Sequence, residues 1–208
     1  MKVLVINGSP HKDNTTMAAL NEVINVLNNE GIETEVYHVL SNIEGCRGCG
    51  VCHKTGKCVI DDDVNRLLET MEECDGLLVG SPVYYAGVSG QLINFLDRFF
   101  YISSKKVFAH KAAAAISVAR RAGNETAFDA INKFFLISNM VVIGSSYWND
   151  AYGFTKEDAS KDLEGMQTMR NLGRNMAYYL KLRQLGKQNG LEEPEIESGA
   201  RTHFMDGK

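Results

Sequence analysis

Two hydrophobic periods alternate along this chain, and that alternation restricts its fold more than any other feature. Residues 2–7, KVLVIN, are a nearly continuous apolar run that stops at Gly8, as a strand buried on both faces reads. Leu20, Val23, Ile24 and Leu27 then recur at helical spacing, and Gly31 is placed to close that helix. IETEVYHV reads as a second strand. DDDVNRLLETMEEC opens with acids suited to a helix N-terminus and carries Val64, Leu67, Leu68 and Met71 on one face. GLLVGS is a third strand, and Leu92, Phe95, Leu96 and Phe99 mark the helix after it. KAAAAISVA supplies a fourth strand, Phe128, Ile131, Phe134 and Phe135 a helix, MVVIGSSYW a fifth strand, and residues 161–182 a last helix. Five strands alternating with five helices predict an α/β doubly wound fold with a five-stranded parallel sheet.

A chain of 208 residues with 44% apolar content supports one well-packed core. We place that domain at residues 1–184, with a cysteine-rich loop at 41–60, and read 185–208 as a polar arm. The net charge of -4 and the absence of a basic run argue against a nucleic-acid partner. No apolar stretch approaches the ~20 residues of a spanning helix, and the N-terminus lacks a signal-type cleavage site. A cytoplasmic location is therefore expected. In that reducing compartment clustered cysteines read as metal ligands or redox groups.

The first strand runs into NGSPHKDNTT, residues 7–16. In doubly wound sheets ligands sit beyond the carboxyl ends of the strands, where strand order reverses. Ser9, Asn14, Thr15 and Thr16 offer hydroxyls and an amide there, beside the first N–H groups of the next helix, where the dipole favours an anion. The loop predicts a phosphate cradle without a metal. It lacks the second glycine and the lysine of the G-x-x-x-x-G-K-[ST] loop, and it is not the dinucleotide G-x-G-x-x-G. A capped strand-to-helix turn is the competing reading.

The loop after the third strand, SPVYYAGVSGQL, extends the site. Pro82 fixes the chain, Val83, Tyr84 and Tyr85 supply apolar and aromatic surface, and Gly87 lets the backbone pass close to a flat ligand. Backbone amides here suit the edge of a flavin ring. The alternative is that the two tyrosines cover core.

Four of the five cysteines fall in GCRGCGVCHKTGKC, spaced C-x2-C-x2-C-x5-C through Cys46, Cys49, Cys52 and Cys58. Zinc sites usually pair two knuckles across a longer spacer, whereas cysteines at successive short intervals wrap a four-iron cube. The spacing favours a 4Fe-4S cluster, with zinc or a metal-free loop as alternatives. Gly45, Gly48, Gly50 and Gly56 suit the tight turns of such a wrap. His53 reads as an exposed loop residue, Cys74 as a small core residue, and Asp97 with Arg98 as a helix-surface pair or interface contact.

These three segments together resemble the iron-sulfur flavoproteins of the flavodoxin-like superfamily, which also includes NADPH-dependent FMN reductases. The likeness extends to GSSYW and KDLEGMQTMRNLGRNMA, covering most of residues 1–184, and RTHF at 201–204 is similar to a family ending. The resemblance implies a flavodoxin-like sandwich with an FMN site. Phosphate would sit on Ser9, Asn14, Thr15 and Thr16, and the ring against Pro82, Val83, Tyr84, Tyr85 and Gly87. A third contact loop would fall at Ala119–Glu125 and bring in Ala119, Arg120 and Gly123. Arg120 and Arg121 stand there where relatives carry small residues, and Asn14-Thr15-Thr16 stands where Gly-Asn-Thr is usual. The resemblance further implies electron transfer from cluster to FMN across a subunit interface, hence a homodimer or homotetramer.

The expected activity is an FMN-dependent oxidoreductase. Electrons would come from NAD(P)H or a ferredoxin-like carrier and go to a small acceptor such as a quinone or oxygen. Tyr84, Tyr85 and Trp148 are candidates for shaping the pocket, with Trp148 as core the alternative; Arg120 and Arg121 are candidates for attracting an anionic donor. Competing classes are an NAD(P)H-dependent flavin or quinone reductase without a cluster, a non-enzymatic electron carrier, and a phosphate-sensing domain without flavin.

Overall fold

The structure, a computed structural model, describes residues 1–102, 105–200 and 202. Of the RTHF ending only Thr202 falls among them; Arg201, His203 and Phe204 lie outside the described residues. The strands are β1 (Lys2–Asn7), β2 (Glu33–His38), β3 (Gly76–Tyr84), β4 (Gly87–Val88), β5 (Ala112–Ala119), β6 (Val141–Val142) and β7 (Asp150–Tyr152). The helices are α1 (Thr15–Asn29), α2 (Cys52–Thr55), α3 (Asp63–Glu73), α4 (Gly90–Ile102), α5 (Asn124–Ile137), α6 (Lys156–Ala159) and α7 (Leu163–Gln188).

The sheet runs β2-β1-β3-β5-β6, with every one of these pairs parallel. Alternate side chains of each strand feed opposite layers, as the two-residue period of a strand requires. Leu4, Ile6, Leu77 and Val79 pack under α3, α4 and α5. Val3, Val5 and Leu78 pack under α1 and α7. The helix boundaries follow local chemistry: Gly31 takes φ +77° just past α1, and Asp62 accepts the Val64 N–H at 3.2 Å to cap α3. Thr155 and Asp158 close a reciprocal capping box on α6.

The fifth strand position departs from the expected single run. It is filled by two short strands, β6 against Ala112 and Ala113 and β7 against Ser117 to Ala119. Between them the chain leaves the ladder, and the Asn149 side-chain amide donates to Ala115 O at 3.0 Å in place of a backbone partner. The GSSYW segment buries neither of its aromatics there, Tyr147 and Trp148 both being exposed. Two further differences are β4, which returns antiparallel on β3, and the last helix, which extends to Gln188. Among the described residues no helix is long and apolar enough to cross a membrane.

Candidate functional site

Strand order turns between β1, which leads out to β2, and β3, which lies on its other side. A crevice opens beyond the carboxyl ends at such a reversal, and three loops meet there. In the first, Asn7 is buried and braces the turn: its Oδ1 accepts the Ser9 N–H at 3.0 Å and its Nδ2 donates to Lys12 O at 3.2 Å. Ser9 is buried and accepts the His11 N–H at 3.1 Å. Asn14 stands at the N-cap of α1 without a side-chain cap bond. Thr16 is 0% exposed, and its Oγ1 finds no hydrogen-bond partner among the described residues.

An unpaired buried hydroxyl costs about 1–3 kcal/mol and calls for an explanation. An anion seated on the first turn of α1 would satisfy it together with the free N–H groups there. The residues present thus fit a phosphate.

The second loop is the β3–β4 hairpin. Its two central residues, Tyr85 and Ala86, have φ +51° and +57°, the left-handed pair that matches the twist of the flanking strands. L-residues in that region cost about 1–2 kcal/mol each. Tyr84 is half-exposed and Tyr85 fully exposed, so neither covers core. The hairpin base is locked to the first loop: Ser89 Oγ donates to Gly8 O at 2.6 Å, its N–H donates to Ser81 Oγ at 3.1 Å, and Gly8 N–H donates to Gly80 O at 2.8 Å.

In the third loop Ala119 is buried at the end of β5, and Gly123 takes φ +92° at the start of α5. A Cβ on Gly123 would lie 2.9 Å from Ala86 Cα and 3.2 Å from Val83 Cγ1. Glycine therefore lets this loop seat directly on the hairpin. Arg120 is exposed and lines an open cleft with Tyr152, Phe154 and Lys161. Trp148 is half-exposed against Tyr147, ring centroids 4.9 Å apart, and is not core.

The cysteine loop forms a second centre. Cys46, Cys49, Cys52 and Cys58 all line one small, mostly apolar pocket together with Arg98, Tyr101 and Ile102 of α4; Cys46 and Cys49 are exposed. All four are free thiols. The wrap turns at Gly48, Gly50 and Gly56, with φ +63°, +69° and +70°. Burial, and after it the three neighbouring cysteines, push the Cys52 thiol up; a bound cation would reverse that direction. Among the described residues no three His, Cys, Asp or Glu side chains are grouped as one metal ion would need. A four-iron cube holds its thiolates at separate corners, farther apart than the tetrahedral ligands of a single zinc. The four thiols line one pocket, Cys46 and Cys49 exposed and Cys52 and Cys58 partly buried, a donor set whose chemistry suits a soft metal centre. His53 is exposed and lies edge-on to Tyr101, and Cys74 is buried in the core with its thiol pushed up to about 11 by burial.

Arg98 corrects the sequence reading. It is not a surface partner of Asp97, which is exposed; it is buried and grips the Asp62 carboxylate with both terminal nitrogens at 2.5 and 2.7 Å. The signal was present, because residue 98 lies three after Phe95 and four before Ile102 on the apolar stripe of α4. Asn94, one turn earlier, donates to Ile43 O at 3.1 Å and anchors the entry of the cysteine loop. Ser89 gave no comparable signal, since its acceptor Gly8 O lies on another loop; Asn7 bonds Ser9 and Lys12 of its own loop, a local turn signal that the sequence reading missed.

The chain matches the model of the NADPH-dependent FMN reductase family over residues 1–155. It is 38% identical over 190 residues to an iron-sulfur flavoprotein of Methanocaldococcus jannaschii, covering 88% of this chain and 98% of that protein. It is 31% identical over 186 residues to an iron-sulfur flavoprotein of Methanosarcina thermophila, covering 88% of this chain and 96% of that one. Among solved structures, RosB with a bound riboflavin-5'-phosphate derivative superposes with TM-score 0.70 at 16% identity, over 97% of this chain and 92% of its own. An archaeal flavodoxin superposes with TM-score 0.59 at 16% identity, over 87% of this chain and 99% of its own.

Proposed function

We propose that this chain, which belongs to the NADPH-dependent FMN reductase family and is a flavin-dependent oxidoreductase, carries a 4Fe-4S cluster on Cys46, Cys49, Cys52 and Cys58 and relays electrons between it and FMN. The observation that carries this reading is that four free cysteines line one small pocket. The names of its iron-sulfur flavoprotein relatives support it.

Ser9, Asn14, Thr15 and Thr16, with the first N–H groups of α1, would hold the FMN phosphate. Pro82, Val83, Tyr84, Tyr85 and Gly87, with Ala119 and Gly123, would hold the ring, and Arg120 in the adjoining cleft would attract an anionic donor such as NAD(P)H. When bound, the flavin would accept a hydride or single electrons and the cluster would carry electrons singly. The protein's part is to bind, orient and exclude water; no side chain acts as a nucleophile.

From Gly90, beside the hairpin, to Arg98, under the cysteines, α4 rises about 12 Å. Val51, Val59 and Tyr101 around the cysteine pocket are exposed apolar side chains. These exposed side chains support a homodimer or homotetramer in which the cluster of one subunit faces the flavin of another. The protein works in the cytoplasm, with NAD(P)H or a ferredoxin-like carrier as donor and a quinone or oxygen as acceptor.

An absorption spectrum and iron count on anaerobically purified protein test the reading. Flavin bands with broad absorbance near ~400 nm and about four irons per chain are expected. Flavin bands without iron, bleached rapidly by NADPH, would replace it with a cluster-free NAD(P)H-dependent reductase.

A further inference from the structure

Arg98 is 1% exposed and heads the large side chains buried in the protein. A guanidinium carries five N–H donors, and here all five are used. Nη1 donates to Asp62 Oδ2 at 2.5 Å and Glu44 O at 3.2 Å; Nη2 donates to Asp62 Oδ1 at 2.7 Å and Ile60 O at 3.3 Å. Nε donates to Cys58 Sγ at 3.4 Å. The acceptors come from both ends of the cysteine loop, Glu44 ahead of Cys46 and Ile60 with Asp62 behind Cys58. Asn65 completes the hold on Cys58: its Oδ1 accepts the Cys58 N–H at 2.8 Å and its Nδ2 donates to Cys58 O at 3.1 Å.

A buried cation needs a counter-anion and a full set of acceptors. Asp62 supplies the charge and two carbonyls take the outer donors, which leaves Nε aimed at a sulfur. A neutral thiol is a weak acceptor, whereas a thiolate makes a charge-assisted bond. We propose that Arg98 is a positioning residue that holds the Cys58 thiolate as a ligand and, through the Nε–H···S bond, makes the cluster easier to reduce. The inference rests on the iron-sulfur reading above. Reduction adds one electron, supplied by the reductant of the titration; no bond breaks and no proton moves. The added negative charge is shared with the thiolate sulfurs, so a donor to sulfur stabilises the reduced state more than the oxidised one.

The test compares reconstituted wild-type protein with an Asp62→Asn/Arg98→Gln double variant and with Arg98→Lys. The double variant removes both charges together, so no carboxylate is stranded. Iron per chain and the midpoint potential, followed by EPR, are the readouts. In the double variant the ratio of reduced to oxidised cluster at fixed potential should fall about tenfold, which is ~59 mV for one electron, with Arg98→Lys between it and wild type. Iron lost from variants that keep wild-type melting and FMN binding supports the proposal equally, since holding Cys58 is what it claims. Unchanged midpoints at wild-type iron content overturn it. Should the variants not fold, pulsed EPR of the reduced protein carrying ¹⁵N-arginine decides, with Arg47, the other arginine lining the cysteine pocket, replaced by lysine (Arg47→Lys): a guanidinium nitrogen coupling is expected, and its absence overturns the assignment. Wild-type protein that takes up no iron fails the underlying reading, a result separate from all of these.

Discussion

At Thr16 the folded chain keeps a cost that a ligand would relieve. Its hydroxyl is fully buried and unpaired, so Thr16→Val should leave the FMN-free protein as stable as wild type or slightly more so. The same change removes a bond to a charged group, worth about 1.5–3 kcal/mol, and should weaken FMN binding roughly ten- to hundred-fold. Melting of the apoprotein and a flavin-fluorescence titration measure the two sides, and a parallel loss in both would assign Thr16 to packing alone. Cys74 makes a separate prediction. Burial raises its thiol from 9.0 to about 11, so between those values the unfolded chain has released a proton that the native chain retains. Stability is therefore lost as pH rises through that window. The loss is about 2–3 kcal/mol at its upper end, and the unfolding free energy of wild type relative to Cys74→Ala, from urea titrations, should fall by that amount as pH rises through the window.

The β3–β4 hairpin shows how an element can form without its usual local signal. Two-residue hairpin turns of this hand favour Asn-Gly or Asp-Gly, yet Tyr85 and Ala86 occupy this one. Periodicity gave the strand and the aromatic loop, but the turn depends on Gly123 from another loop packing against Ala86. The same limit hid the split of the fifth strand, because Asn149 completes the ladder only once β5 is beside it. Arg98 is a different case: its place on the apolar stripe of α4 was legible, and only its partners, Asp62 and the loop carbonyls, were not. The strand-helix alternation, the cysteine spacing and the placement of three loops at adjacent strand ends were legible because each depends on local pattern. Gly123→Ala tests the hairpin. Its left-handed backbone and 2.9 Å approach to Ala86 Cα should cost about 1–3 kcal/mol and displace the hairpin, weakening FMN binding. Gly190→Ala, at φ +79° with open space around it, carries the backbone penalty alone and should leave FMN affinity unchanged, as thermal melts and flavin titrations would show.

Across the whole molecule the two centres are built from different parts of the fold. The FMN loops hang from β1, β3 and β5, whose residues fill both buried layers. The cysteine loop leaves the edge strand β2, and from Cys46 to Cys58 only Cys52 and Cys58 pack, partly buried, against the core. Its attachment runs through Asn94 and Arg98 on α4 and through Asn65 on α3, contacts to backbone and sulfur. Among the described residues the two centres share no side-chain hydrogen bond and are joined through α4, which both loops contact, so changes at one should couple weakly to the other. Replacing Cys46, Cys49, Cys52 and Cys58 together by alanine should then abolish iron while leaving FMN affinity within about twofold of wild type. Relative to iron-free wild type, loss of two partly buried thiols and of the acceptor for the buried Arg98 Nε–H should cost about 2–5 kcal/mol, a shift of ~4–20 °C in melting temperature. Reduction of the bound flavin by NADPH should survive in that variant if the donor reaches the flavin directly, and should disappear if electrons enter through the cluster. Stopped-flow bleaching of the flavin in the two proteins separates these routes, and loss of FMN binding in the variant would show that the cysteine loop also supports the flavin site.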